Sequence, residues 1–248
     1  MDHFPHAIFS VTRWVVLPDK RRGFTGGYTQ VPPRATIFMD REDAGRQLAG
    51  LLSGYRDEDA TVLALPRGGV PVGYEIARLL KAPLDVFVAR KLGAPGRPEL
   101  AIGAIAPGGV RIINERVVRQ IGVPEGWIEA VSERELAEVG RRMRRFRGGG
   151  AGPEIRGRTV ILVDDGIATG MTVRAAIQAI RKDFPRRIVL AVPVCAGATA
   201  DELNSEVDEL VCLQKPADLW AIGFWYENFH QLEDEEVLGL LGRSHREN

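Results

Sequence analysis

Cysteine, lysine, net charge and long apolar runs are all scarce in this 248-residue chain. Its two cysteines, Cys195 and Cys212, are too few for a disulfide scaffold and lack CxxC spacing. Both lie in apolar runs and read as buried thiols. Lysine numbers only 5 against 28 arginines, a skew that genome base composition explains more readily than phosphate binding. The formal net charge is zero, which argues against nucleic acid as a partner. No segment approaches the ~18–20 unbroken apolar residues of a membrane span. The opening MDHFPHAIFSVTRWVVLPDKRRGF lacks the basic start, apolar core and small-residue cleavage site of a signal peptide. A cytoplasmic protein without a membrane partner is the expectation. GxxxxGK[ST] is missing, which removes a P-loop reading, and GGVPVG at 68–73 fails the dinucleotide pattern because Val70 stands where its middle glycine belongs.

Hydrophobic residues make up 45% of the chain, enough to build one α/β domain with an elaboration, or two small domains. Residues 1–33 hold no sustained period and read as an irregular extension. A core follows over 34–230, and residues 231–248 carry a last helix, at 233–241, and a tail. Helix signals run from the Asp40 cap to Gly54, from Pro71, over 125–150, over 170–183 and from 199. Strand signals fall at 61–66, 85–90, 159–163, 187–193 and 207–213. Strands alternating with helices predict an α/β fold with a mostly parallel central sheet covered by helices on both faces. Residues 92–109, rich in Gly and Pro, read as a long loop with a short hairpin near 101–105, and long loops in compact domains tend to be functional. The arginine run RRMRRFR reads as the solvated C-terminal end of the 125–150 helix.

Ligands of an open parallel sheet bind beyond the carboxyl ends of its strands. VILVDDGIATGMTV (160–173) is a strand, an acidic exit and a small-residue turn into a helix. Backbone N–H groups at that helix start suit a phosphate. Gly166, Ala168 and Gly170 allow close approach, and Thr169 and Thr172 add hydroxyls. Asp164 and Asp165 would repel the same phosphate, so they suit vicinal hydroxyls instead. A capped helix after a strand explains one Asp but not two followed by GxATGxT. LPRGG (65–69) makes a second strand–turn–helix, with Arg67, Gly68 and Gly69 as an anion cradle. Arg90 and Lys91 leave a strand toward the same edge, and the loop behind them holds Arg97 and Glu99.

These residues resemble the type I phosphoribosyltransferase family, whose hallmark is an apolar strand, two acids and a small-residue loop ending TGxT. The likeness covers roughly residues 35–230. It implies 5-phosphoribosyl diphosphate (PRPP) as substrate, with Mg²⁺ held mainly through PRPP rather than by direct protein ligands. It further implies Asp164 and Asp165 on the ribose hydroxyls, and Gly166, Ala168, Thr169, Gly170, Met171 and Thr172 around the 5′-phosphate. Pro66, Arg67, Gly68 and Gly69 would meet the diphosphate, with the Pro66–Arg67 bond as the family's non-proline cis peptide. Residues 92–109 correspond to the family's mobile loop. Arg90 and Lys91 would offset leaving-group charge, and Glu99 is the candidate acid or base. Ala168 stands where hypoxanthine-guanine enzymes carry an Asp, which argues against that subfamily. The acceptor, a nitrogen base expected to be a nucleobase, would be read by a hood drawn from 111–150 and 216–229. Trp220, Phe224, Trp225 and Tyr226 there are candidates to stack on a base, although packing is the commoner use of such residues. A homodimer is also implied. The competing reading is a PRPP-binding regulator that does not turn over.

Overall fold

The computed structural model describes residues 37–150 and 152–247. The 1–33 extension lies outside them. Five strands form the central sheet: β1 (Ala60–Ala64), β2 (Leu84–Val86), β6 (Thr159–Val163), β7 (Arg187–Val194) and β8 (Glu209–Gln214). Their spatial order is β2-β1-β6-β7-β8, and every neighbouring pair is parallel. Strand order therefore reverses between β1 and β6, the switch point of a doubly wound sheet.

Side chains along the central strands alternate between two cores, as a sheet covered on both faces requires. Val62, Ala64, Ile161 and Val163 face α1 (Arg41–Leu51), α2 (Gly69–Leu80) and α7 (Asp234–Glu247). Leu63, Leu65, Val160 and Leu162 face α5 (Met171–Arg181) and α6 (Gly197–Asn204). Asp40 caps α1 by accepting from the Asp43 amide at 2.7 Å, with Glu42 and Asp43 favouring the positive helix start. That helix ends at Leu52 and passes into a 3-10 turn, so Gly54 does not close it.

Residues 92–109 are not a loop. A second, antiparallel sheet of β3 (Arg90–Ala94), β4 (Arg97–Ala106) and β5 (Val110–Ile113) takes them up. The glycines that suggested a loop sit largely at its turns: Gly96, Gly108 and Gly109 have φ of 65°, 72° and 71°. Gly93 lies where a Cβ would stand 2.8 Å from the Pro98 carbonyl oxygen, at a register break in the ladder. The expected 85–90 strand is split accordingly, with β2 ending at Val86 and Arg90 opening β3.

Two helices follow this sheet, α3 (Glu115–Ile121) and α4 (Trp127–Arg147). Asn114 caps α3, and Gly148 ends α4 in the left-handed conformation. The arginine run closes α4 as expected, with Arg141, Arg144 and Arg145 exposed, but it also makes contacts far along the chain. Arg145 bonds Asp234 and Glu235 of α7, and Arg147 reaches Asp85 and the Val86 carbonyl of β2. Arg141 and Arg142 converge on Glu138, whose carboxyl is thereby held down at about 2. The run thus fastens α4 to the last helix and to the sheet edge. Among the described residues, no helix is long and apolar enough to cross a membrane.

Leu162 is fully buried in the central strand β6. Its replacement by Ala is expected to cost about 2–5 kcal/mol, the range for a cavity left in a packed core. Urea denaturation followed by circular dichroism reads this as a lowered midpoint at unchanged slope.

Candidate functional site

The exits of β1 and β6 meet at the switch point. After β1 comes the turn Leu65–Gly69, in which the Pro66–Arg67 peptide bond is cis, as the resemblance implied. A Cβ built on Gly68 would stand 2.0 Å from Asp165 Oδ2. One on Gly69 would stand 2.6 Å from the Val163 carbonyl oxygen. The paired glycines are needed because this turn lies directly on the acidic exit of β6. Gly166 is similarly enclosed, with the Ile222 side chain 2.5 Å from its would-be Cβ.

The two acids differ in their surroundings. Asp164 is half-buried and accepts from the Asp165 amide at 2.9 Å. Burial and the adjacent Asp165 push its carboxyl up from the usual carboxylate range. Asp165 is buried, and its Oδ2 takes a 2.7 Å bond from Arg41 Nε. Burial also raises the Asp165 carboxyl, and the Arg41 guanidinium opposes that rise. Tyr226 donates from its hydroxyl to the Asp165 carbonyl at 2.6 Å. Burial raises the Tyr226 hydroxyl, with Asp165 adding to the effect, so it remains a donor.

Beyond the acids, Gly166 and Ile167 lead into the turn before α5. Ala168 and Thr169 are exposed, and Met171 and Thr172 are half-buried. Gly170 has φ 70° and precedes the first helical residue, Met171. No side chain caps α5, so its first N–H groups have no partner within the helix. Thr199 donates to the Ala168 carbonyl at 2.7 Å and steadies the turn from α6.

Arg67, Gly68, Asp165 and Arg41 line an open cavity of about 320 Å³, closed on its other side by Phe229, His230, Gln231 and Leu232. Arg67 is not idle there. Its guanidinium pairs with Asp234 at 3.5 Å and Glu233 at 3.9 Å.

The remaining predicted residues sit on the second sheet. Arg90 is bound through Nε to Glu135 of α4 at 2.6 Å. Lys91 reaches the Glu99 carboxylate at 2.9 Å and the Glu99 carbonyl at 3.2 Å, across the β3–β4 hairpin. Glu99 itself is 95% exposed. Among the described residues, no hydrogen bond or ion pair joins Arg90, Lys91 or Glu99 to Asp164, Asp165 or the Arg67 turn. Of the four aromatics considered for stacking, Trp220 and Phe224 are largely exposed and Trp225 is half-buried. Tyr226 is packed between Phe38 and Phe229 at ring distances of 5.4 and 5.0 Å, and so is a structural residue. Cys195 is buried and Cys212 only half-buried.

Sequence reasoning missed Arg41, Glu135, Glu233 and Asp234. A charged residue in the first turn of a helix reads as solvent-facing, and nothing in the local pattern reports a partner 124 positions away.

Fold and site together define a doubly wound α/β protein with its site at the switch point. The family described as phosphoribosyl transferase domain matches residues 38–228. The chain is 47% identical over 211 residues to the Mycobacterium tuberculosis (strain CDC 1551 / Oshkosh) protein named "Putative phosphoribosyl transferase MT0597", covering 85% of this chain and 48% of that protein. It thus spans about half the length of the curated relatives it matches. The crystal structure of TT1426 from Thermus thermophilus superposes with a TM-score of 0.69 at 38% identity, over 83% of this chain and 97% of that one. The chain belongs to the phosphoribosyl transferase domain family.

Gly68→Ala places a methyl group against the Asp165 carboxylate. The variant is expected to melt several degrees lower, since a turn held between two strand exits has no room to give; a cost of about 1–3 kcal/mol follows from overpacking. Differential scanning calorimetry checks it. Burial also holds the thiols of Cys195 and Cys212 up at about 12 and about 11. Native protein at pH 8 should therefore resist iodoacetamide at both positions and react fully once denatured, as mass spectrometry will read.

Proposed function

We propose that the chain binds PRPP together with Mg²⁺ and transfers ribose 5-phosphate to a nitrogen acceptor of the nucleobase class, releasing diphosphate. The observation that carries this reading is the apposition of Gly68 and Asp165 at the switch point. It brings an anion-accepting turn, a carboxylate pair and an uncapped helix start to one edge of the sheet. A ligand with hydroxyls between two phosphate groups matches that order of functions.

In this mechanism the N–H groups of residues 168–172 hold the 5′-phosphate, and Asp164 and Asp165 accept from the two ribose hydroxyls. The Arg67–Gly69 turn meets the diphosphate, for which Arg67 must loosen its pairing with Asp234 and Glu233. The acceptor nitrogen bonds to ribose C1 as the C1–diphosphate bond breaks, the bonding electrons leave with diphosphate, and the proton of the acceptor N–H passes to a base, for which Glu99 is the candidate. Positive charge develops on the sugar ring, as in glycoside cleavage. The oxygen donors at the site suit a hard cation carried mainly by PRPP oxygens. When bound, Mg²⁺ would offset charge on the departing diphosphate. Movement of the β3–β4 hairpin toward the switch point would bring Lys91 and Glu99 to the reacting atoms and exclude water. Arg90 would join them only if its bond to Glu135 opened.

A second reading, a PRPP-binding regulator without turnover, is favoured by one feature. The cations assigned to the leaving group, Arg67 and Arg90, are already paired with carboxylates.

Calorimetry with PRPP and Mg²⁺ is expected to show binding by the wild-type chain. Absence of binding at millimolar PRPP by folded protein would sink both readings. Asp164→Asn combined with Asp165→Asn is expected to weaken PRPP binding by about 10–100-fold, the loss of charged hydrogen bonds to the ribose, and to abolish diphosphate release. Diphosphate release across a panel of nucleobases and amines separates the two readings: release with at least one acceptor supports the transferase, and binding without release supports the regulator. Glu99→Gln is expected to slow release while leaving PRPP affinity unchanged; an unaltered rate removes Glu99 from the chemistry.

A further inference from the structure

Arg41 is a buried cation with an unusual set of duties. It sits at the first position of α1 and is 8% exposed. Its Nε donates to Asp165 Oδ2 at 2.7 Å, and one terminal nitrogen donates to the His230 carbonyl at 3.0 Å. Its guanidinium lies 3.8 Å from the ring centroid of Phe229. Phe229 in turn stacks on Tyr226, whose hydroxyl holds the Asp165 backbone. One side chain thus ties together the start of α1, the acidic exit of β6 and the segment after β8.

A buried ion pair is weak evidence for stability, because desolvating both charges offsets most of their attraction. Its location suggests a different use. Arg41 forms a wall of the cavity that holds Arg67, Gly68 and Asp165. Two adjacent carboxylates at that point would repel each other and any phosphorylated ligand. A fixed cation on one of them removes much of that repulsion. Arginine suits the task because its planar fork serves two acceptors while its face packs on an aromatic ring.

We propose that Arg41 is the positioning residue of this site: it holds the Asp165 carboxylate beneath the Gly68 turn, in the orientation in which a sugar hydroxyl would meet it. The inference rests on the PRPP reading and deepens it. Arg41 acts through Asp165 and needs no contact with the ligand.

The test is a double-mutant cycle on the full chain, with PRPP and Mg²⁺ affinity read by calorimetry and folding read by thermal melting. Arg41→Gln is expected to weaken PRPP binding about tenfold or more, and Arg41→Lys to recover part of that loss. Asp165→Asn is expected to weaken binding by itself, because it removes the carboxylate that Arg41 positions. Adding Arg41→Gln to Asp165→Asn is expected to change affinity by less than about twofold, since the carboxylate that Arg41 positions is already gone. A full tenfold loss in the Asp165→Asn background would place the action of Arg41 elsewhere and overturn the proposal. Wild-type affinity in a folded Arg41→Gln variant would overturn it too. Should Arg41→Gln fail to fold, two variants carry the test. Arg41→Lys keeps the charge, and the double variant buries no lone charge. In that case Arg41→Lys is expected to weaken binding in the wild-type background and to have no effect beside Asp165→Asn, and equal effects in both backgrounds would refute the assignment. Failure of the wild-type chain to bind PRPP removes the underlying reading and this inference with it. Binding by the wild type with no difference among the Arg41 variants removes the inference alone.

Discussion

The close contact between Gly68 and Asp165 is the constraint on which the site depends. Two strand exits at a switch point can share a ligand only if their turns come within reach of each other. Here they come so close that a Cβ on Gly68 would overlap the Asp165 carboxylate. That contact explains the paired glycines of the β1 turn and the burial of one acid. It also explains the difference between two adjacent aspartates. Asp165 faces the turn and Arg41, whereas Asp164 stays half-buried beside them.

Charge pairing is the second organising feature. Most of the functionally interesting cations are already matched. Arg41 is held by Asp165, Arg67 by Asp234 and Glu233, Arg90 by Glu135, and Lys91 by Glu99. These pairs differ in strength. The Arg41 pair is buried, and its guanidinium is doubly anchored. The Lys91 pair involves a carboxylate that is almost wholly exposed, and such pairs contribute ~1 kcal/mol or less. A ligand anion would therefore displace the carboxylates around Lys91 and Arg67 far more easily than the one on Arg41. The acidic start of α7 brings the last helix to the edge of the cavity, where its carboxylates compete for the same cation that a diphosphate would use.

Much of the architecture could be read from local pattern. Every strand of the central sheet was signalled by a short apolar run, and β6 was placed at its observed bounds. The acidic exit and the TGxT turn marked the sheet edge at which the β1 and β6 exits meet. The misreadings have one physical source. Glycine and proline were taken as signs of a loop over 92–109, whereas their work there is to make turns and a register break within an antiparallel sheet. Composition reports where the backbone bends but not whether the segments between bends pair, because pairing is settled by partners along the ladder. The long-range ion pairs of the α4 arginine run were illegible for a similar reason. The carboxylate partners of Arg145 and Arg147 lie on α7 and β2, far away in the chain.

Local order along the chain was enough to set the strand–helix alternation, the motif DDGIATGMT and the LPRGG turn. Each is a property of neighbours in the chain, where periodicity and turn chemistry act directly. Packing alone settled which of the two acids is held by a cation, and it recruited Arg41 from a helix start to a buried ion pair. It also drew Arg67 into contact with the last helix and fixed Arg90 on α4. Those outcomes depend on which surfaces meet when the sheet closes over its helices. A charged side chain carries no mark of its distant partner until burial makes that partner necessary.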